Sequence, residues 1–181
     1  MESKMKLVAM SEGCPFNSPR LMFYHPNGNG TGCAMVMKLR QADTTGGGYI
    51  VASFANQMTV VNPTGVNPTF PKFDWDNRVD VVLDFDDLCA ILQVLRGETE
   101  SVREGRGIFH KYNECRQTIK FSHIVEPVCG YSFDVFETLA NGSDEKRAHM
   151  LLSPAESLGI CESIEGSMYL VAFGVPRLSN V

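Results

Sequence analysis

The sequence has no run of eighteen apolar residues, so it predicts no membrane-spanning helix and no membrane partner. The apolar piece near its N-terminus, Leu7 to Met10, is too short for the core of a signal peptide. None of its six cysteines forms a Cys-x-x-Cys pair, and its four histidines, His25, His110, His123 and His149, are scattered. A metal site built from closely spaced ligands is therefore not expected. Several of the cysteines (Cys14, Cys33, Cys89, Cys115, Cys129 and Cys161) sit inside apolar patterns, where a free thiol acts as a small hydrophobe. That usage reads as reduced thiols in a cytoplasmic or nucleoid-associated protein, or in an organellar one after removal of a transit peptide.

Catalytic signatures are missing as well. There is no Gly-x-Gly-x-x-Gly, no P-loop, no Gly-x-Ser-x-Gly and no His-Glu-x-x-His. Gly28-Asn29-Gly30-Thr31-Gly32 is glycine-rich, but no helical pattern follows it, so it reads as a hairpin turn. Asp74 and Asp76 fall two residues apart without a basic partner or metal-ligand spacing. The chain is not expected to be an enzyme, and no cofactor is implied.

What is present describes a globular domain. A chain of 181 residues, 44% hydrophobic and 20% charged, can bury a core without disulfides. Residues 21–176 are expected to form one domain, after a flexible segment 1–20 and before a short tail 177–181. The net charge is −5, unevenly spread. Residues 1–40 hold five bases against two acids, and residues 105–123 hold four bases against one acid. Residues 74–104 hold nine acids against three bases. An acidic total disfavours loose polyanion binding, yet a local basic surface still attracts one.

Hydrophobic alternation predicts strands over 21–25, 33–41, 49–61 and 73–83. A helix follows, with acids from Asp84 to Asp87 at its start, Leu88, Ile91, Leu92 and Leu95 as its apolar stripe, and Gly97 at its end. The acids there read as helix-start residues. The second half repeats the order: strands over 107–112, 115–127, 130–139 and 146–152, with a hairpin signal at Asn141-Gly142. A final helix opens at Ser153-Pro154-x-Glu156, a capping box with proline at the first helical position. It runs to Phe173, with Leu158, Cys161, Ile164, Glu165 and Met168 to Leu170 near one face, and stops at Gly174. The fold class is α+β: two antiparallel sheets of about four strands, each followed by a helix.

Particular strings carry a resemblance. They are Phe73-Asp74-Trp75 before a strand, Leu88 to Gly97 as a helix, and Ile108-Phe109-His110. Ile119-Lys120-Phe121, Val125-Glu126-Pro127 and the stretch Ser153 to Gly174 follow in that order. In this sequence and order they resemble the Whirly family of single-stranded DNA-binding proteins, over roughly residues 20–175. The related kinetoplastid guide-RNA-binding proteins are similar too. The resemblance implies a single-stranded DNA or RNA partner, no catalysis and a homo-oligomer, a tetramer in the family. On it, Trp75 marks the start of the fourth strand, with packing as its role. One departure stands out. Where the family has a Lys-Gly-Lys-like motif, this chain has Thr31, Gly32 and Cys33. That departure favours a second reading, an interaction module that keeps the fold without binding nucleic acid.

A sequence-tolerant binder of single strands needs cations along the backbone path and flat side chains for stacking. The strand segments interleave both types, which nominates Lys38, Arg40, Tyr49 and Phe54 in the first half. Phe109, Lys111, Tyr112, Lys120 and Phe121 are nominated in the second. Aromatics in alternating strands also pack inward, so each of them has a core reading beside the stacking one. His110 and His123 read as surface or hydrogen-bonded histidines. Exposed apolar residues on the last helix (Met168, Leu170, Phe173) are compatible with an oligomer.

Overall fold

The computed structural model describes residues 20–60, 70–112, 115–126, 128–139 and 145–175. Two four-stranded antiparallel sheets are each followed by a helix. The first sheet contains β1 (Leu21–His25), β2 (Cys33–Arg40), β3 (Tyr49–Asn56) and β4 (Val79–Leu83), in that spatial order. Helix α1 (Phe85–Leu95) leads to a short turn of 3-10 type (Val102–Gly105). The second sheet contains β5 (Ile108–Tyr112), β6 (Cys115–Ile124), β7 (Gly130–Leu139) and β8 (Glu145–Leu152), again in sequence order. Helix α2 (Pro154–Phe173) closes the chain's described part. Among the described residues no helix is long and apolar enough to cross a membrane.

Local chemistry sets both helix starts. Asp84 accepts from the Asp87 amide while the Asp87 carboxylate accepts from the Asp84 amide, and Ser153 and Glu156 repeat that exchange at α2. The end of α1 is a Schellman motif. Gly97, at φ 72°, donates to Val94, and Glu98 donates to Gln93. The end of α2 is satisfied from the first sheet. Ala42 and Gly48, in the β2–β3 connection, donate to the carbonyls of Leu170 and Val171. A side chain at Gly174 would collide with the Ala42 backbone, so this docking requires glycine there.

One side of each sheet makes the core. Met35, Met37, Ile50, Ala52, Phe54, Val81 and Leu83 from the first sheet meet Ile119, Phe121, Phe133, Val135 and Met150 from the second. Phe133 sits at the join, edge-on to Phe54 with centroids 5.0 Å apart and to Phe121 at 5.3 Å. The halves are also laced crosswise by two histidines. His25, ending β1, meets the Glu156 carboxylate of α2 at 2.7 Å. His110, in β5, meets the Asp87 carboxylate of α1 at 2.8 Å. Each histidine thus reaches the capping acid of the other half's helix.

Four details differ from the sequence expectation. The fourth strand begins at Val79 and not at residue 73, because Asp74 takes the backbone and side-chain amides of Asn77 and makes a turn. Half-buried Trp75 lies in that turn, its carbonyl bonded by Arg78, and Phe73 keeps only an isolated bridge to Gln57. The third strand ends at Asn56, because Gln57 turns its side chain to the β1–β2 turn. There it accepts from Asn27 and Gly32 and donates to the Asn27 carbonyl. On α2 the buried stripe is Ser157, Ile160, Ile164 and Val171, while Leu158 is 63% exposed. The Asn141-Gly142 turn signal falls outside the described residues.

Candidate nucleic-acid interface

The strand register separates inward from outward side chains, and the sequence candidates divide accordingly. In the second sheet, one cross-strand row reads Phe109, Thr118, Phe136, Arg147. The neighbouring row reads Lys120, Asp134, His149, and the row beyond Phe109 reads Lys111, Arg116, Thr138, Glu145. All of these alternate with the core residues Ile119, Phe121, Phe133, Val135, Ala148 and Met150, so they form the outer face. Phe109, Lys111 and Lys120 belong to it.

Phe136 is the centre of this face. The Arg147 guanidinium lies 4.9 Å from its ring centroid and the Lys120 ammonium 5.9 Å. A flat ring bracketed by two cations offers stacking and phosphate contact side by side. Phe109, on the edge strand of the same row, is 67% exposed. Lys111, Arg116 and Lys120 make no ion pair with a described residue. Asp134 is the acid between Lys120 and His149 in the neighbouring row. It bonds Ser132 at 2.6 Å, His149 at 2.8 Å and Arg147 at 3.3 Å. Burial works to raise its carboxyl, but these three partners together hold it below the usual carboxylate range.

The first sheet contributes a different outer face. Lys38 pairs in register with Val51, and Arg40 with Tyr49. The Arg40 guanidinium lies 5.8 Å from the Tyr49 ring and 3.5 Å from Asp43. Beyond this end the face has a floor of Ala34, Val36, Ser53 and Ala55, all buried. Tyr24 and Phe73 pack together at its far end, with centroids 5.6 Å apart.

Three candidates point the other way. Phe54 and Phe121 are each 1% exposed, inside the core. They cannot stack a base, since no ring face is open. Tyr112 is also inward: its hydroxyl donates to Glu137 at 3.2 Å. Burial and the Glu137 carboxylate push that hydroxyl well above its ordinary range. The error lies in period. Lys120 and Phe121, or Lys111 and Tyr112, are adjacent in a strand and cannot share a face. The same rule, applied to β7 and β8, would have found Phe136, Arg147 and His149, and Arg116 follows from Lys120.

The family motif's positions are placed clearly. Thr31 is exposed in the β1–β2 turn, whereas Cys33 is 2% exposed between the sheets. Burial pushes the Cys33 thiol up to about 11, against lowering hydrogen bonds from the Ala55 and His149 backbones. Among the described residues no group of three or more His, Cys, Asp and Glu could hold a metal ion.

No family model matches the chain, and no curated protein matches it by sequence. Solved structures do match the fold. WHY3 from Arabidopsis thaliana superposes with a TM-score of 0.65 at 14% identity, covering 87% of this chain and 90% of its own. The plant transcriptional regulator PBF-2 gives 0.62 at 14% identity, covering 87% and 92%. A guide-RNA-binding protein complex bound to a guide RNA gives 0.54 at 18% identity, covering 87% and 94%. The chain therefore has a Whirly-like fold.

Proposed function

We propose that this Whirly-like chain binds single-stranded nucleic acid, without catalysis, on the outer faces of its sheets. The observation that carries the reading is Phe136 bracketed by Arg147 and Lys120, in one row with exposed Phe109. Bases stack on the rings while Lys111, Arg116 and Lys120, which make no ion pair with a described residue, take the phosphates. Lys38, Arg40 and Tyr49 extend the path on the first sheet. A stacked base contributes about 1–3 kcal/mol, so two plates offset a modest electrostatic term. The guide-RNA complex of the same fold supports this reading.

The chain acts as a homo-oligomer in this proposal. Of the apolar residues expected to be exposed on helix α2, Phe173 is (74%), while Met168 packs on the core and Leu170 is half-buried; Leu158 and Tyr169 are exposed instead. A helix apolar on more than one side calls for a second packing surface. Light scattering at micromolar concentration tests this, and a monomer would remove the claim.

A second reading, a fold-keeping interaction module, is favoured by Thr31 and buried Cys33 at the family's lysine positions. Fluorescence anisotropy separates the two. A labelled single strand of about 30 nucleotides and a matching duplex are titrated at several salt concentrations. Preferential single-strand binding, with a salt slope of about −0.7 per phosphate engaged, is the expected result. No binding of either at low salt would favour the interaction module.

A further inference from the structure

We propose that the cleft between α1 and the turn before β5 receives a base splayed from the bound strand, and favours bases that carry an exocyclic amine. This rests on the sheet reading above. The cleft is an open groove of about 760 Å³, with Asp86, Cys89 and Gln93 of α1 on one side and Ser101, Arg103, Glu104, Arg106 and Gly107 on the other. Its volume suits a nucleoside-sized group. Phe109 lines it and also belongs to the outer row of the second sheet, so one exposed ring joins the stacking face to the cleft.

The wall opposite the helix is strained. Arg103 and Glu104 sit at φ 49° and 58°, followed by Gly105 at 82° and Gly107 at 86°. A left-handed non-glycine residue costs on the order of 1–3 kcal/mol, and here two are consecutive. Buried Val102 and the bridge between Ser101 and Ser122 hold the turn in place.

The lining decides what enters. Each arginine in it already has an acid: Arg96 meets Glu165 at 2.9 Å, Arg106 meets Glu104 at 3.6 Å, and Arg103 meets Asp87 at 4.0 Å. Asp86 and Glu98 line the cleft without an ion pair to any described residue. A phosphate finds no uncommitted cation there, whereas a hydrogen-bond donor finds carboxylates. Cytosine, adenine and guanine bring an exocyclic amine with two N–H donors, which a carboxylate accepts; thymine and uracil offer only the single imide N–H, flanked by two carbonyls that a carboxylate repels. The phosphates stay outside, on Lys111 and Lys120.

The half-buried thiol of Cys89, in the cleft wall, reports occupancy. Alkylation of the full chain by a maleimide is followed residue by residue by mass spectrometry, with oligo(dC) or oligo(dT) at saturation as judged by anisotropy. Oligo(dC) is expected to slow Cys89 labelling at least about fivefold more than oligo(dT), the ratio a discriminating contact of about 1 kcal/mol gives. Exposed Cys129 serves as the unchanged control. Glu98→Gln with Asp86→Asn should erase the difference while leaving oligo(dT) affinity alone. Equal protection by both strands, or unchanged Cys89 labelling while both bind, overturns the proposal. Failure of both strands to bind overturns the nucleic-acid reading itself, which anisotropy shows before any labelling.

Discussion

The two sheets share strand order and pairing direction, yet their outer faces differ in chemistry. On the first sheet the outward positions of β2 and β3 are mostly small: Ala34, Val36, Ser53 and Ala55. Its cations and its Tyr49 gather at one end, and Arg40 is partly committed to Asp43. On the second sheet the outward positions carry two phenylalanines and four cations in three adjoining rows; Arg147 is committed to Asp134, and the three other cations make no ion pair with a described residue. Inward, both sheets are alike, with Met35 and Phe54 on one side matched by Phe121, Phe133 and Met150 on the other. The lesson is that the inward parity of a strand sets the fold and the outward parity sets the surface chemistry, so one architecture carries two faces. Most of the binding energy is expected on the second.

The largest effect comes from breaking what the sheets share. Phe133→Ala removes the ring between Phe54 and Phe121 and is expected to cost about 3–5 kcal/mol of stability, read from the midpoint of urea unfolding. Next comes the contrast itself. Phe136→Ala should weaken single-strand binding by about 1–3 kcal/mol in anisotropy, with unfolding nearly unchanged. Tyr49→Ala should lose less, and an equal loss would show that the faces contribute alike. A charge reversal sharpens the comparison further. Lys120→Glu should weaken binding and flatten the salt slope by about 0.7, more than Lys38→Glu does, and an unchanged affinity removes Lys120 from the site.

The smallest effect is on acid stability. Glu156, which ties α2 to β1, is held below its ordinary 4.5: burial raises it, but the bonds from His25 and Ser153 lower it further. Asp134, on the second sheet's face, is likewise held below its ordinary 3.8. In the unfolded chain both carboxyls take up protons at higher pH than in the folded one. Stability from them is therefore complete above the ordinary values and falls as pH drops through the folded ones. His25→Gln should reduce the loss seen below about pH 4.5, and His149→Gln should act on the Asp134 part. Thermal melts between pH 3 and 6, roughly the window in which carboxyls titrate, measure both.

Much of the fold could be read from particular residues. Asp84, Ser153, Pro154 and Gly97 announce three helix boundaries because capping chemistry is local. Alternation located the strands, since a period of two needs no partner to be seen. What was not legible needed tertiary knowledge. Nothing about Arg103-Glu104 signals left-handed backbone, because neither is glycine; the turn exists because Val102 is anchored below it. Gln57 could have continued β3 by pattern, but its amide is claimed by the Asn27–Gly32 turn. For the site, Lys120 and Lys111 were visible as cations, whereas their ring partner, Phe136, lies on another strand. Only the pairing of β7 with both β6 and β8 brings it between Lys120 and Arg147.

The docking of the β2–β3 connection onto the last turn of α2 has a consequence for synthesis. A ribosome delivers β1 to β3 long before it delivers Leu170 and Val171, whose carbonyls the Ala42 and Gly48 amides require. At about 5–20 residues per second, the wait for the remaining stretch is on the order of 6–20 s. Until β5 to β8 follow, Met35, Met37 and Phe54 lack the second sheet, and to the end of the wait the docking of the final helix is missing. The nascent first half is thus a sticky, half-sided sheet, and a chaperone that shields apolar strands has its natural client in that interval.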